Sequence, residues 1–413
     1  MNKIFRVIAS PSFILAIMCP LLISGCADSR RAVPPELTEK AQVVGIPGVR
    51  SFVESVDPLM EKSILEALKN EDPSYFPAKP DGTKEYATLA ISGGADNGAY
   101  GAGLLKGWSE QGSRPVFKAV TGVSTGALIA PFAFLGSEYD KNIEHIYKNI
   151  STKNIAKRKS LISGLFGNSL ASSEPLAQLI LDNSSDDIVK AIAREHTRGR
   201  RLFIGTVNLD AARLVVWDLG AIAVLASQGD QKALKLFRDV LLASASIPVT
   251  FPPVFIEVEA GGKQYKEMHV DGGTLTQVFY MYGMAHNIRQ AAYQLGIDPK
   301  RVKASLYVIR NGRVAPRWKE IRNHVGAIAE RAIDSMTGAQ AIGDVYRLYA
   351  ISKAKGNGFH LAHIPDDYVP DKKEFFDQQE MRRLFEAGYR EALAGRAWHD
   401  CPPGWECAVE RKE

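Results

Sequence analysis

Val116-Phe117-Lys118-Ala119-Val120-Thr121 runs into Gly122-Val123-Ser124-Thr125-Gly126 and leaves as Ala127-Leu128-Ile129-Ala130. An apolar run enters a glycine-flanked serine and an apolar helical stretch leaves it, so a strand turns into a helix at Ser124. Gly122 and Gly126, at positions −2 and +2, leave room for a sharp turn that projects the Ser124 hydroxyl from the sheet edge. The N–H of Thr125 at the helix start can face a developing oxyanion. In this context Ser124 reads as a nucleophile; without it the pentapeptide would be an ordinary Gly/Ser turn.

Working outward, similar short apolar runs recur at Tyr86 to Ile91, Leu202 to Val207, Leu214 to Trp217, Val254 to Val258 and Leu306 to Ile309, separated by helix-length stretches. Most barely alternate, the pattern of strands buried on both faces, which predicts an α/β fold with a mostly parallel central sheet covered by helices. Asp57-Pro58 starts a helix with Met60, Ile64 and Leu68 on one face. Val345 to Ile351 and Met381 to Ala394 read as late helices. No Gly/Pro linker divides Tyr86 to Gly395, so one large domain, 57–400, is expected, with 401–413 as a tail.

Directly after the first run comes Ser92-Gly93-Gly94-Ala95-Asp96-Asn97-Gly98-Ala99-Tyr100-Gly101-Ala102-Gly103. So many glycines imply odd dihedrals or a close approach, and a glycine loop between strand and helix makes an anion site. A dinucleotide fingerprint is the rival, but Ala95 breaks its spacing. His269-Val270-Asp271-Gly272-Gly273 ends another strand at an Asp. That Asp could take the Ser124 proton directly if its pKa were raised, or it could merely cap a turn. A conventional triad would need a histidine base, with His269, His360 and His363 as candidates.

Composition sets the bounds. The 413 residues are 46% hydrophobic, 23% charged and 9% aromatic, an ordinary globular balance that excludes disordered, collagen-like and disulfide-packed chains. Formal charge is +5, falling to +3 without Lys3 and Arg6, which gives no reason to expect nucleic acid. Lys3 and Arg6, an apolar run Val7 to Ile23 and small residues Ser24 and Gly25 read as a leader over 1–25. Ile23-Ser24-Gly25-Cys26 resembles the lipobox of bacterial lipoproteins, which implies a diacylated Cys26. Ala27 in place of Asp implies an outer-membrane anchor facing the periplasm. Residues 26–56 then read as a tether with scattered prolines. In an oxidising space the remaining Cys401 and Cys407 suggest one disulfide.

Gly93-Gly94-x-x-x-Gly98, Gly122-x-Ser124-x-Gly126, Ala243-Ser244-Ala245-Ser246-Ile247-Pro248 and Asp271-Gly272-Gly273, in this order, resemble the patatin-like phospholipase family over 86–311. The resemblance implies a three-layer patatin-like fold. It also implies hydrolysis of phospholipid or other acyl-ester lipids by a Ser124–Asp271 dyad, with Gly93, Gly94 and Ala95 supplying oxyanion-hole N–H groups. No metal or cofactor is implied. Two positions depart from the family's loop: Ala95 stands for its third glycine and Asn97 for its Lys or Arg. Ala95 keeps its N–H, so the hole survives if the loop avoids positive φ there. Asp96, pointing inward, would oppose an anionic head group. A catalytically idle, lipid- or partner-binding lipoprotein of the same fold is the alternative. Lys157-Arg158-Lys159 with Leu161 to Phe166 reads as a solvated helix end or a lid, and Pro248, Phe251, Pro252 and Pro253 as a rigid loop or an acyl-pocket wall.

Overall fold

The computed structural model describes residues 30–159, 168–281, 298–405 and 407; Cys26 and the leader, His286 and 160–166 of the lid candidate lie outside them. The strands are β1 (Gln42–Val43), β2 (Arg50–Phe52), β3 (Lys84–Ile91), β4 (Phe117–Val123), β5 (Lys157–Arg158), β6 (Ala171–Ser172), β7 (Arg201–Asn208), β8 (Arg213–Asp218), β9 (Val254–Ala260), β10 (Lys263–Asp271), β11 (Val302–Arg310) and β12 (Gly358–His363). All but β5 and β6 join one sheet in the order β1-β9-β10-β7-β4-β3-β11-β12, with β8 pairing β7 and β2 pairing β8. Its centre, β7-β4-β3-β11-β12, is parallel, and the β10, β9, β1 and β8, β2 flanks are antiparallel. From β3 the chain winds to β4 and β7 on one side and later to β11 and β12 on the other. The strand order therefore turns back beside β3, where α/β sheets place their ligands at the carboxyl ends.

Eight helices matter for the site: α1 (Pro58–Lys69), α2 (Gly98–Gln111), α3 (Thr125–Leu135), α4 (Asp140–Asn149), α5 (Glu174–Asp182), α6 (Gln231–Ser244), α7 (Val325–Ala354) and α8 (Gln378–Leu393). Alternate strand residues feed opposite layers. Leu89, Ile91, Val120 and Leu202 pack with α2, α3, α6 and α8, whereas Ala90, Val308, Ala119 and Phe203 pack with α7 or α1. Both faces of the sheet are thus buried, giving three α/β layers. The Asp57 carboxylate caps α1 by accepting the Leu59 N–H at 2.8 Å. At Gly103 a Cβ would stand 1.9 Å from the Phe385 carbonyl oxygen. Part of the glycine content after Ser92 therefore serves helix packing, not the loop.

The expected tether differs from what is found. Arg30 donates to Asp210 Oδ2 at 2.7 Å and to the Lys266 carbonyl at 2.9 Å, and β1 and β2 pair with β9 and β8. Two- and three-residue strands carry no readable period, so pairing, not pattern, makes them strands. The tail also departs from expectation, since the Tyr349 and Trp405 rings meet at 5.3 Å; within it Cys401 is bonded to Cys407, the pair read from the sequence.

Candidate active site

Ser124 sits at φ 55°, ψ −127° between β4 and α3, a strained conformation for a residue with a side chain. Gly126 permits it, since a Cβ there would lie 2.3 Å from the Ile91 carbonyl oxygen. The register carries Asp271 to the same place. Val123 pairs with Gly205 across β4 and β7, and Thr206 pairs with Asp271 across β7 and β10.

Residues 244–246, at the end of α6, hold the backbone in position at both Ser124 and Asp271. Ser244 Oγ accepts the Ser124 N–H at 3.0 Å while donating to the Gly205 carbonyl at 2.7 Å. The Ser246 carbonyl accepts the Asp271 N–H at 3.0 Å. Asp271 Oδ1 accepts the Gly273 N–H at 2.7 Å, while buried Oδ2 has no partner in hydrogen-bond geometry. Burial pushes this carboxyl up to about 7, against the opposing pull of the Ser124 hydroxyl and the Gly273 N–H. Among the described residues no hydrogen bond joins the Ser124 hydroxyl to either Asp271 oxygen.

Among the described residues no histidine hydrogen-bonds Ser124. His269 is fully buried, with Nδ1 2.9 Å from Thr206 Oγ1 and Nε2 3.1 Å from Glu267 Oε2. His360 pairs with Asp400 and His363 meets the Ile364 carbonyl, so none of the three stands as the base.

The glycine loop corrects one expectation and leaves one condition unmet. Gly93 donates its N–H to the Gln277 carbonyl at 2.9 Å, which removes it from the oxyanion donors. Ala95 adopts φ 50° instead of avoiding positive φ, at a cost of about 1–2 kcal/mol. Among the described residues the N–H groups of Gly94, Ala95 and Thr125 meet no acceptor. Asp96 does not oppose a head group as a free charge: its buried carboxylate pairs with Lys372 Nζ at 2.5 Å.

Three residues unmarked by any motif complete the loop. Asn311 Nδ2 donates to the Ser92 carbonyl at 2.9 Å and its Oδ1 accepts the Gly101 N–H at 3.1 Å. Gln277 Nε2 donates to the Gly273 carbonyl at 2.6 Å, tying the loop to the Asp271 turn. Arg310 Nη1 lies 3.3 Å from the Gly93 carbonyl, so a guanidinium reaches the loop despite Asn97. Only the signal of a strand end before Asn311 was available in sequence.

A pocket opens from Ser124 and Ala95 between α3, α4, α5 and α6, with about 830 Å³ of space free of atoms, part of it open to solvent. Its walls are apolar and include Leu128, Phe132, Tyr147, Ile180, Leu241 and Phe251. Of the proline-rich loop, Phe251 thus reaches the pocket.

Residues 89–282 match the family model for patatin-like phospholipase, so the chain carries a patatin-like phospholipase domain, and that family implies lipid acyl hydrolysis. No curated protein sequence matches the chain. Among solved structures, VipD from Legionella pneumophila is similar at 13% identity over 78% of this chain and 70% of its own, with a TM-score of 0.33. The type III effector protein ExoU is similar at 14% identity over 76% of this chain, with a TM-score of 0.22; the match spans about half of ExoU, 53%.

Proposed function

We propose that this protein is a serine lipid acyl hydrolase that works through a Ser124–Asp271 dyad. The observation that carries the reading is a buried carboxylate of pKa about 7 beside a serine on a strained elbow, at the mouth of an apolar pocket. Ionised Asp271 takes the Ser124 proton as Oγ attacks the ester carbonyl. The negative charge that forms on the carbonyl oxygen is held by the N–H groups of Gly94, Ala95 and Thr125. Collapse returns the proton from Asp271 to the departing alcohol and leaves an acyl-Ser124. Water then gives its proton to Asp271, attacks the acyl carbonyl, and releases the fatty acid as the proton passes back to Ser124. The apolar walls suit the acyl chain of phospholipid or lysophospholipid.

Acylation of Cys26 would hold the enzyme on the bilayer, as the lipobox-like sequence implies, with the outer membrane facing the periplasm as its site. The four residues from Cys26 to Arg30 reach at most about 14 Å, so the domain would ride close to the surface. The test is acyl release from mixed phospholipid, lysophospholipid and p-nitrophenyl ester substrates by the lipid-free 27–413 chain. Ser124→Ala and Asp271→Asn should each lower turnover by about 10³-fold or more. Release unchanged in Asp271→Asn would overturn the dyad.

A further inference from the structure

We propose that Phe376 is a specificity-determining residue of the acyl pocket, and that Asp96 and Lys372 are positioning residues that clamp it there. The proposal rests on the acyl-hydrolase reading above and extends it to the shape of the acyl group accepted.

Asp96 lies in the glycine loop next to Ala95, and Ala95 lines the pocket beside Ser124. Its side chain is only 5% exposed, and a carboxylate so placed is costly without partners. Both partners come from one segment, 365–377, which crosses from β12 to α8. Lys372 Nζ stands 2.5 Å from Asp96 Oδ2, and the Phe376 N–H donates to the same oxygen at 3.2 Å. Among the described residues these are the two polar bonds between this strap and the glycine loop.

Phe376 is itself buried, lines the pocket, and adopts φ 55°. A bulky residue in the left-handed region persists only where its surroundings over-determine it, and such residues gather at ligand clamps. Ala95, on the other side of Asp96, is held at φ 50°. Two strained residues thus flank one ion pair, and both face the same cavity.

The strap is fixed at its two ends as well. Arg313 Nη1 donates to the Tyr368 carbonyl at 2.7 Å, and the Asp377 carboxylate caps α8 through the Gln379 N–H at 2.9 Å. Between those ends Thr152 Oγ1 donates to the Phe375 carbonyl, and Asp96 holds Phe376 and Lys372 toward the glycine loop. Because Phe376 is tied to the residue after Ala95 and lines the pocket that opens from Ser124, its bulk selects straight acyl chains over chains branched beside the ester.

The test compares kcat/KM for straight-chain and 2-methyl-branched p-nitrophenyl esters. A methylene in a tight pocket changes such ratios by about 10- to 200-fold, so Phe376→Ala should raise the branched-to-straight ratio by about tenfold or more. Phe376→Leu, which keeps much of the bulk, should move it far less. Lys372→Ala should shift the ratio the same way by a few-fold, and Lys372→Arg should restore it. Binding of cis-parinaric acid is measured in a Ser124→Ala background, where no turnover is needed, and Phe376→Ala should weaken it several-fold. If the folded Phe376→Ala protein, checked by circular dichroism, keeps both the wild-type ratio and the wild-type affinity, the proposal is wrong. If Ser124→Ala still hydrolyses esters while Phe376→Ala weakens fatty-acid binding, the hydrolase reading fails and the pocket assignment stands.

Discussion

Asp271 can accept a proton only when ionised, and burial makes the ionised form expensive. Its pKa of about 7 predicts that kcat/KM rises through pH 7 and levels off above it, not near the ordinary carboxylate value of 3.8. The same burial acts on stability with the opposite sign. The folded state holds the proton more tightly than the unfolded chain, so this contribution is full below about pH 4 and is lost as pH climbs to 7. The gap between 3.8 and about 7 corresponds to about 4 kcal/mol. Asp271→Asn keeps an acceptor for the Gly273 N–H and avoids the penalty. Urea denaturation should therefore find the inactive variant more stable than wild type at pH 8 and close to it at pH 4. The elbow at Ser124 and the strand end at Asp271 were legible because each is a local pattern of strand, glycine and turn. Gln277, Asn311 and Arg310 were not, because what they do depends on partners that are close only after folding. Gly93 was misassigned for the same reason: its N–H goes to Gln277, far along the chain.

At the scale of elements, α6 ends on a working group. Ser244 Oγ is the acceptor for the Ser124 N–H and a donor to β7, so Ser244→Ala leaves two buried backbone groups unpaired. Each such group costs about 1–3 kcal/mol, and the elbow loses a restraint. We expect a lower denaturation midpoint, together with fluorophosphonate labelling of Ser124 slowed more than tenfold; Ser244→Thr, which keeps a hydroxyl, should recover part of the labelling rate. The central strands were legible from sequence because burial on both faces writes a continuous apolar run. β12, Gly358-Phe359-His360-Leu361-Ala362-His363, escaped notice because two histidines interrupt it. At the margin of the sheet His360 is partly exposed and stacks on Tyr307 at 4.6 Å, so the run has no need to be wholly apolar.

For the molecule as a whole, the segment before α1 is structural. β1 and β2 cover the free edges of β9 and β8, and Arg50 on β2 forms a buried ion pair with Glu267 on β10, Nη2 to Oε1 at 3.0 Å. A chain starting at Asp57 would leave Glu267 without its guanidinium and two strand edges open. Loss of one partner from a buried pair costs about 3–5 kcal/mol, and open edges invite association. The 57–413 chain should therefore unfold at lower urea and aggregate by light scattering, whereas 30–413 should not. The tether reading failed because proline spacing describes local stiffness and says nothing of what a short segment can pair with. The hold of residues 244–246 on both members of the proposed dyad has a mechanical meaning at this scale. Ser124 and Asp271 stand at the ends of strands far apart in sequence, yet both are indexed to one short fulcrum. A shift of one without the other would have to break a hydrogen bond to that fulcrum, so the spacing between the two is pinned at a single point of the molecule.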